Sequence, residues 1–247
     1  MIKLISLNIE RSKHLDRNIP FFQSEQPDVL CLQEAFEADL DQIARETGLS
    51  HVFWLKETRH NEPKNGTVES GYSGSAILSR SPFLVTGSQY YFMPEGGIRL
   101  EFIDGLDRRA TNAQGIIWAE IRKEGEVFFI ANTHFTWTPD GEPNEDQCAD
   151  FRLVELILRE FPSHVLVGDL NAPRGNGMWE KFQALYAADN IPTEIQSTID
   201  PELHKKQLQY VVDALFTSAD YVARNVRIVP GVSDHQAIVA EIGRCTL

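Results

Sequence analysis

Short apolar runs rich in β-branched and aromatic residues recur along the chain, each closed by polar or turn-forming positions: IKLISLNI, PDVLCLQE, SGSAILSR, GIIWAEIR, EVFFIANTHF, HVLVGDLN, YVVDALFTS and HQAIVAEI. Side chains of this kind fit a pleated, half-buried surface, so the pattern predicts about eight strands. Between some of them the spacing of apolar positions becomes helical. Residues 37–48 end on Gly48, which suits a helix C-cap, and residues 144–161 bring Phe151, Val154, Ile157, Leu158 and Phe161 onto one face. About four helices among these strands imply mixed α/β layers over a common core. No repeat, low-complexity tract or Pro/Gly/Ser linker marks a boundary, so residues 1–247 read as one domain.

Two stretches interrupt the pattern. Residues 56–73 (KETRHNEPKNGTVESGYS) and residues 92–114, which contain PEGG and DRRATN, are polar and glycine-containing. Excursions of this length in a compact fold often carry function, and these are expected to border a substrate cleft.

A content of 42% hydrophobic and 10% aromatic residues suffices for a substantial core. The formal charge of −13, from 36 acidic and 23 basic residues, opposes sequence-independent capture of duplex DNA, which needs many Lys and Arg contacts to phosphate. A nucleic-acid substrate stays open, because a divalent cation and a few local arginines reverse the field inside a cleft. Cys31, Cys148 and Cys245 are few, odd in number and far apart, so no disulfide framework is predicted and all three are expected to be reduced. MIKLISLNIE lacks a basic leader followed by a long apolar segment, and no run approaches the roughly 18 apolar residues of a membrane span. The expectation is a cytoplasmic monomer without a transmembrane segment.

The placement of polar residues points to chemistry. Asn8 ends IKLISLN, Gln33 and Glu34 end VLCLQE, Asn132, Thr133 and His134 end FFIANTH, Asp169 and Asn171 end VLVGDLN, and Asp234 and His235 open the last strand. Together they can line one rim of the sheets with the groups that metal-assisted hydrolysis uses. Singly, each has a structural reading: Asn8 as partner of a buried backbone group, Glu34 as a cap for the helix at 37–48, His134 or His235 as a hydrogen-bonded core residue. Asp213, inside the apolar run YVVDALF, needs a partner to offset its desolvation, and a His would serve.

In their order along the chain, LNIE, LQEAF, SGSAILSR, NTHF, GDLNAP, VVDALF and SDHQAI resemble the motifs of the endonuclease/exonuclease/phosphatase superfamily, from residue 8 to residue 235. The resemblance implies a four-layer α/β/β/α sandwich, two mixed sheets packed together with helices on both outer faces, and divalent-metal-dependent cleavage of a phosphoester. It implies a metal ligand in Glu34, with Asn8 beside it holding the carboxylate or a water on the metal, and it adds Asp234 of SDH to the metal set. His134 matches the family's phosphate-binding His, Asp169 and Asn171 its GDxN pair, and Asp213 and His235 an acid that orients a His and that His. Carboxylate ligands suit Mg²⁺ or Mn²⁺. On this reading Asp169, held by Asn171, orients and deprotonates the attacking water, and Asn171 also donates to the phosphate. His235, made cationic by Asp213, binds the scissile group. The alternative, with His235 as base and Asp169 on the metal, stays open.

Arg109, ahead of GIIWAEI, resembles an Arg that often precedes this strand and is a candidate substrate ligand, against the plainer reading of Arg108 and Arg109 as a solvated pair. Trp54 and Trp137 are either core fillers or stacking surfaces. Leu170, Ala214 and Ser75 depart from residues frequent in relatives without removing a charged group. The expected function is hydrolysis of a phosphoester, first of all a phosphodiester (nucleic acid, nucleotide or phospholipid head group), by in-line attack of water. The competing reading is a catalytically silent module of the same fold that recognises phosphorylated partners.

Overall fold

The computed structural model describes residues 1–61, 70–100 and 108–245. Its first sheet sets side by side β11 (Tyr221–Val229), β12 (Ala237–Arg244), β1 (Ile2–Asn8), β2 (Val29–Phe36), β4 (Gly71–Ser79) and β3 (His51–His60). The second runs β5 (Phe83–Phe92), β6 (Gln114–Lys123), β7 (Glu126–His134), β8 (Val165–Asp169), β10 (Asp213–Thr217) and β9 (Ala188–Asp189). Both sheets are mixed: β1 and β2 are parallel, as are β7 and β8, and the other pairings are antiparallel.

The two-residue period of a strand decides what each sheet presents to each side. In β1, Ile2 and Leu4 enter the core between the sheets, whereas Ile5 and Leu7 enter the core under the helices. In β2, Val29 and Cys31 divide from Leu30 and Leu32 in the same way, and in β12 Ile238 and Ala240 divide from Ala237 and Val239. Helices α1 (Leu15–Glu25) and α2 (Leu40–Thr47) cover the first sheet with Ile19, Phe22, Leu40 and Ile43. Helices α3 (Glu145–Glu160) and α4 (Gly177–Gln183) cover the second with Phe151, Val154, Ile157, Met178 and Phe182. Each such side chain stabilises the fold by about 1.5–3 kcal/mol relative to leaving it in water, so the helical layers are held chiefly by these faces. The result is the expected four-layer α/β/β/α arrangement. The α3 start is set by Asn144, whose side chain accepts from Gln147 N (2.8 Å), and the α2 end by Gly48 at φ +72°.

Three expectations change. The pattern predicts about eight strands, and the four it omits, β3, β5, β9 and β11, are the edges of the two sheets. The polar excursion at 56–73 is shorter than expected, because Lys56–His60 and Gly71–Ser73 are paired in β3 and β4; residues 62–69, like 101–107, lie outside the described residues. Gln33 and Asn132 do not line the rim. They share the inward parity of Cys31 and Ile130, and they clamp one sheet to the other in the fully buried core. Gln33 Nε2 donates to Asn132 Oδ1 (2.7 Å), and Asn132 Nδ2 donates to the carbonyls of Leu32 and Ala76 (both 3.0 Å). The three cysteines are not in disulfides, and no helix among the described residues is long and apolar enough to cross a membrane.

Candidate active site

Topology gathers the polar strand ends. The parallel pairs β1–β2 and β7–β8 end at one edge of the sandwich, and the antiparallel β10 and β12 begin there. The register therefore sets Asn8 opposite Gln33, and Asp169 between His134 and Asp213. β12 pairs Ile238 with Ser6 of β1, which brings His235, just ahead of it, to the same edge.

The local fold of GDLN follows from its residues. At Gly168 (φ +140°) a Cβ would stand 1.9 Å from the Thr133 carbonyl oxygen, so only glycine lets β8 approach β7 this closely just before Asp169. Asp169 then closes a turn: its Oδ1 accepts from the backbone N of Asn171 (2.8 Å), which sits at φ +50°. The Asn171 side-chain amide donates to the Phe135 carbonyl (2.8 Å), so one of its protons fastens the turn rather than facing a phosphate.

The other oxygen, Asp169 Oδ2, accepts from Asn8 Nδ2 (3.2 Å) and faces Nε2 of His134 (3.6 Å) and of His235 (3.7 Å). His235 Nδ1 donates to Asp213 Oδ2 (2.9 Å), the partner that the buried acid requires. Burial alone would discharge this imidazole. The charges of Asp213 and Asp169, the hydrogen bond to Asp213, and Asp234 outweigh it and push the His235 pKa well above its ordinary value.

Glu34 occupies the left-handed region (φ +53°), a backbone strain of about 1–3 kcal/mol for a residue with a side chain. Its Oε1 accepts from Asn8 Nδ2 (3.4 Å), and its Oε2 is paired with the Arg11 guanidinium. Burial opposes the charge on Glu34, but Arg11, then His134, Arg108 and His235, overcome it and hold the pKa down to about 2. Asp234 contrasts with it. Burial raises its pKa, against the attraction of His235 and with repulsion from Glu34 and Glu10, while Ser233 Oγ donates to its Oδ1 (3.2 Å). Asn8 is fully engaged: its amide nitrogen serves both carboxylates, and its Oδ1 accepts from Glu10 N (3.2 Å).

Among the described residues, Asp169, Asp213 and His235 offer potential ligand atoms that all lie within 4.8 Å of one another. This group differs from the Glu34, Asn8 and Asp234 set that the resemblance implies. Within it Asp213 and His235 already satisfy each other through a proton, so its geometry is that of a carboxylate–imidazolium cluster.

A cavity of about 80 Å³ opens beside Glu34, lined also by Arg11, His134, Asn171, Glu57, Arg108 and Gln114. The described parts of both polar excursions line it. Arg109 lines it too, but its guanidinium makes a bidentate pair with Asp150 (2.5 and 3.1 Å) and lies 3.7 Å from the Phe92 ring centroid. Trp137 is 47% exposed beneath Arg108, a surface position, whereas Trp54 is half-buried against the core under α1 and α2. Sequence reasoning missed Arg11 and Glu57. Arg11 turns back to Glu34 because Glu10 (φ +46°) and Arg11 (φ +62°) are both left-handed, a conformation without a compositional signal in non-glycine residues.

No curated protein matches the chain. Among solved structures, it is similar to an endonuclease/exonuclease/phosphatase family protein from Leptotrichia buccalis C-1013-b (15% identity, 98% of this chain and 100% of that one, TM-score 0.70). It is similar to D. rerio TDP2 complexed with single-strand DNA product (14%, 98% and 98%, TM-score 0.68). It is also similar to a mannosyl-6-phosphatase from Bacteroides thetaiotaomicron VPI-5482 (13%, 98% and 100%, TM-score 0.65). At these identities the likeness is one of fold. The sequence model of the Endonuclease/Exonuclease/phosphatase family, however, matches residues 5–235, and the chain belongs to that family.

Proposed function

We propose that this protein hydrolyses a phosphoester with the aid of Mg²⁺ or Mn²⁺, a phosphodiester being the first substrate class to test. The observation that carries the reading is the convergence on Asp169 Oδ2 of Asn8, His134 and His235, contributed by both sheets. The names of the structural neighbours support a phosphate ester and differ in what it is attached to.

The donor set fits a hard divalent ion. Glu34 keeps its charge, offers oxygen ligands, and already accommodates a cation in the Arg11 guanidinium. Glu34 would hold the ion, with Asn8 steadying its carboxylate and Asp234 in electrostatic contact with it. When bound, such an ion polarises a phosphate oxygen and stabilises charge on the leaving oxygen.

The chain's own groups do the rest. Asp169 takes a proton from the attacking water at Oδ2, an atom whose direction Asn8 and the Asn171 turn fix. His235, with Nδ1 committed to Asp213, presents a charged Nε2–H to a non-bridging oxygen, and His134 supplies a second donor from the neighbouring strand. The raised pKa of His235 favours Asp169 over His235 as the base, since an imidazolium has no lone pair to accept a proton. Arg109, braced by Asp150, orders the wall next to the substrate.

The test is release of nitrophenol from bis(p-nitrophenyl) phosphate and from p-nitrophenyl phosphate with Mg²⁺, Mn²⁺ or EDTA. Metal-dependent turnover, abolished in folded Asp169→Asn and His235→Ala proteins, is expected. Near-wild-type turnover by either variant would overturn the roles assigned.

A further inference from the structure

The same cavity is also lined by polar groups that the mechanism leaves unused. Glu57 lines it, 3% exposed, at a bulge where the β3–β4 register shifts between Lys56 and Thr58. Bulges beside sites re-aim a side chain. Here the surroundings are shaped around the bulge. A Cβ on Gly74 would stand 1.9 Å from the Leu55 carbonyl oxygen and 3.0 Å from Glu57 N. Ala113 N donates to the Glu57 carbonyl (2.9 Å), Gly115 N donates to Glu57 Oε1 (3.3 Å), and Ser75 Oγ lies 3.3 Å from both carboxyl oxygens.

Among the described residues Glu57 has no cationic partner. Burial raises its pKa well above the ordinary value, against the bonds from Ser75 and Gly115 and with repulsion from Glu34, which favours the protonated carboxyl, a form that donates as well as accepts. Beside it on the cavity lining, Gln114 Oε1 is buried and has no hydrogen-bond partner among the described residues, so its desolvation goes uncompensated until something donates to it. The exposed Trp137 ring stands on the same lining. An apolar group would leave the Gln114 acceptor unpaired, and a second phosphate would meet an acid and an acceptor. Hydroxyl groups satisfy both.

We propose that this recess is a subsite for the hydroxyl-bearing portion of the substrate, a sugar or polyol esterified to the scissile phosphate, with Glu57 and Gln114 as its recognition residues. The proposal rests on the phosphoesterase reading.

The experiment compares kcat/KM, with Mg²⁺, for glucose 6-phosphate, glycerol 3-phosphate and adenosine 5′-monophosphate against p-nitrophenyl phosphate, and for glycerophosphoglycerol against bis(p-nitrophenyl) phosphate. The three monoesters separate a hexose, a short polyol and a ribose as the source of the hydroxyls. At least one hydroxylated ester should be preferred, and the ratio of its kcat/KM to that of the nitrophenyl ester should fall about 10-fold or more in Gln114→Leu and in Glu57→Gln. Gln114→Leu keeps the proposal testable if the bulge variant fails to fold. An unchanged ratio in Gln114→Leu, or a preference for nitrophenyl esters throughout, would overturn it. A protein inert toward every ester would overturn the phosphoesterase reading instead. Calorimetric titration with the same hydroxylated esters would then decide the subsite alone: binding weakened in Gln114→Leu sustains it, and no binding overturns it.

Discussion

Replacing Asp213 by Asn separates what this carboxylate does by charge from what it does by shape. The side chain is 2% exposed and accepts from His235 Nδ1 at 2.9 Å, so Asn preserves the volume and an acceptor while removing the largest favourable charge on the imidazole. In the native protein His235 stays protonated well above its ordinary pKa. Without Asp213, burial pulls down and only Asp169 and Asp234 pull up, so the pKa should fall back toward the ordinary imidazole range. At pH 8 the imidazolium should then be depleted and kcat/KM should drop by about 10-fold or more, whereas at pH 5.5, below the ordinary imidazole range, the loss from protonation should stay below about 2-fold. The assay is the pH profile of kcat/KM from pH 5 to 9, with the His235 ring titrated by NMR in both proteins. The variant should lose activity progressively as pH rises. A deficit equal at all pH values would refute the argument from charge and leave Asp213 as an orienting group, and an unchanged His235 titration would refute the pairing itself.

Three further outcomes are expected. Glu34→Gln should weaken Mn²⁺ binding, read by calorimetry, by about 100-fold or more; because its folded pKa lies near 2 rather than 4.5, its contribution to stability is present above pH 4.5 and lost as pH falls toward 2, so native protein should lose up to about 3 kcal/mol more than the variant over that window in urea titrations. Equal acid sensitivity would contradict the assignment. Asn132→Ala removes a bridge of three hydrogen bonds between the sheets and should cost about 2–4 kcal/mol by chemical denaturation, with a cost under about 1 kcal/mol showing that the clamp is dispensable. Gly168→Ala drives a methyl into the Thr133 carbonyl and should lower stability by about 3 kcal/mol or more and displace Asp169; a stable, active variant would show that β7 and β8 can separate without consequence.

The strands legible in the sequence are the eight interior ones, and the reason is burial. β8 and β10 are covered on both faces and read as unbroken apolar runs, whereas β5 leaves Leu84 and Val85 exposed and mixes them with Thr86, Ser88 and Gln89. β9 is only two residues long. α1 was equally obscure: Pro20 lies inside it, and only Asn18, Ile19 and Phe22 are buried. At the site, Asp169, His134, Asp213 and His235 could be found because strand register alone carries them to one edge. Arg11 and Glu57 could not, because a left-handed turn and a bulge aim them, and neither leaves a periodicity.

The bond from Asn8 to Asp169 joins positions 161 residues apart and crosses from one sheet to the other. A nascent or refolding chain can therefore complete either sheet's local hairpins without possessing a working centre, since closing so long a loop comes late in assembly. Enzymatic competence becomes a clock for the docking of the two halves: on refolding it should return after the far-ultraviolet dichroism does, and partly assembled species should be catalytically silent while their strands are already formed.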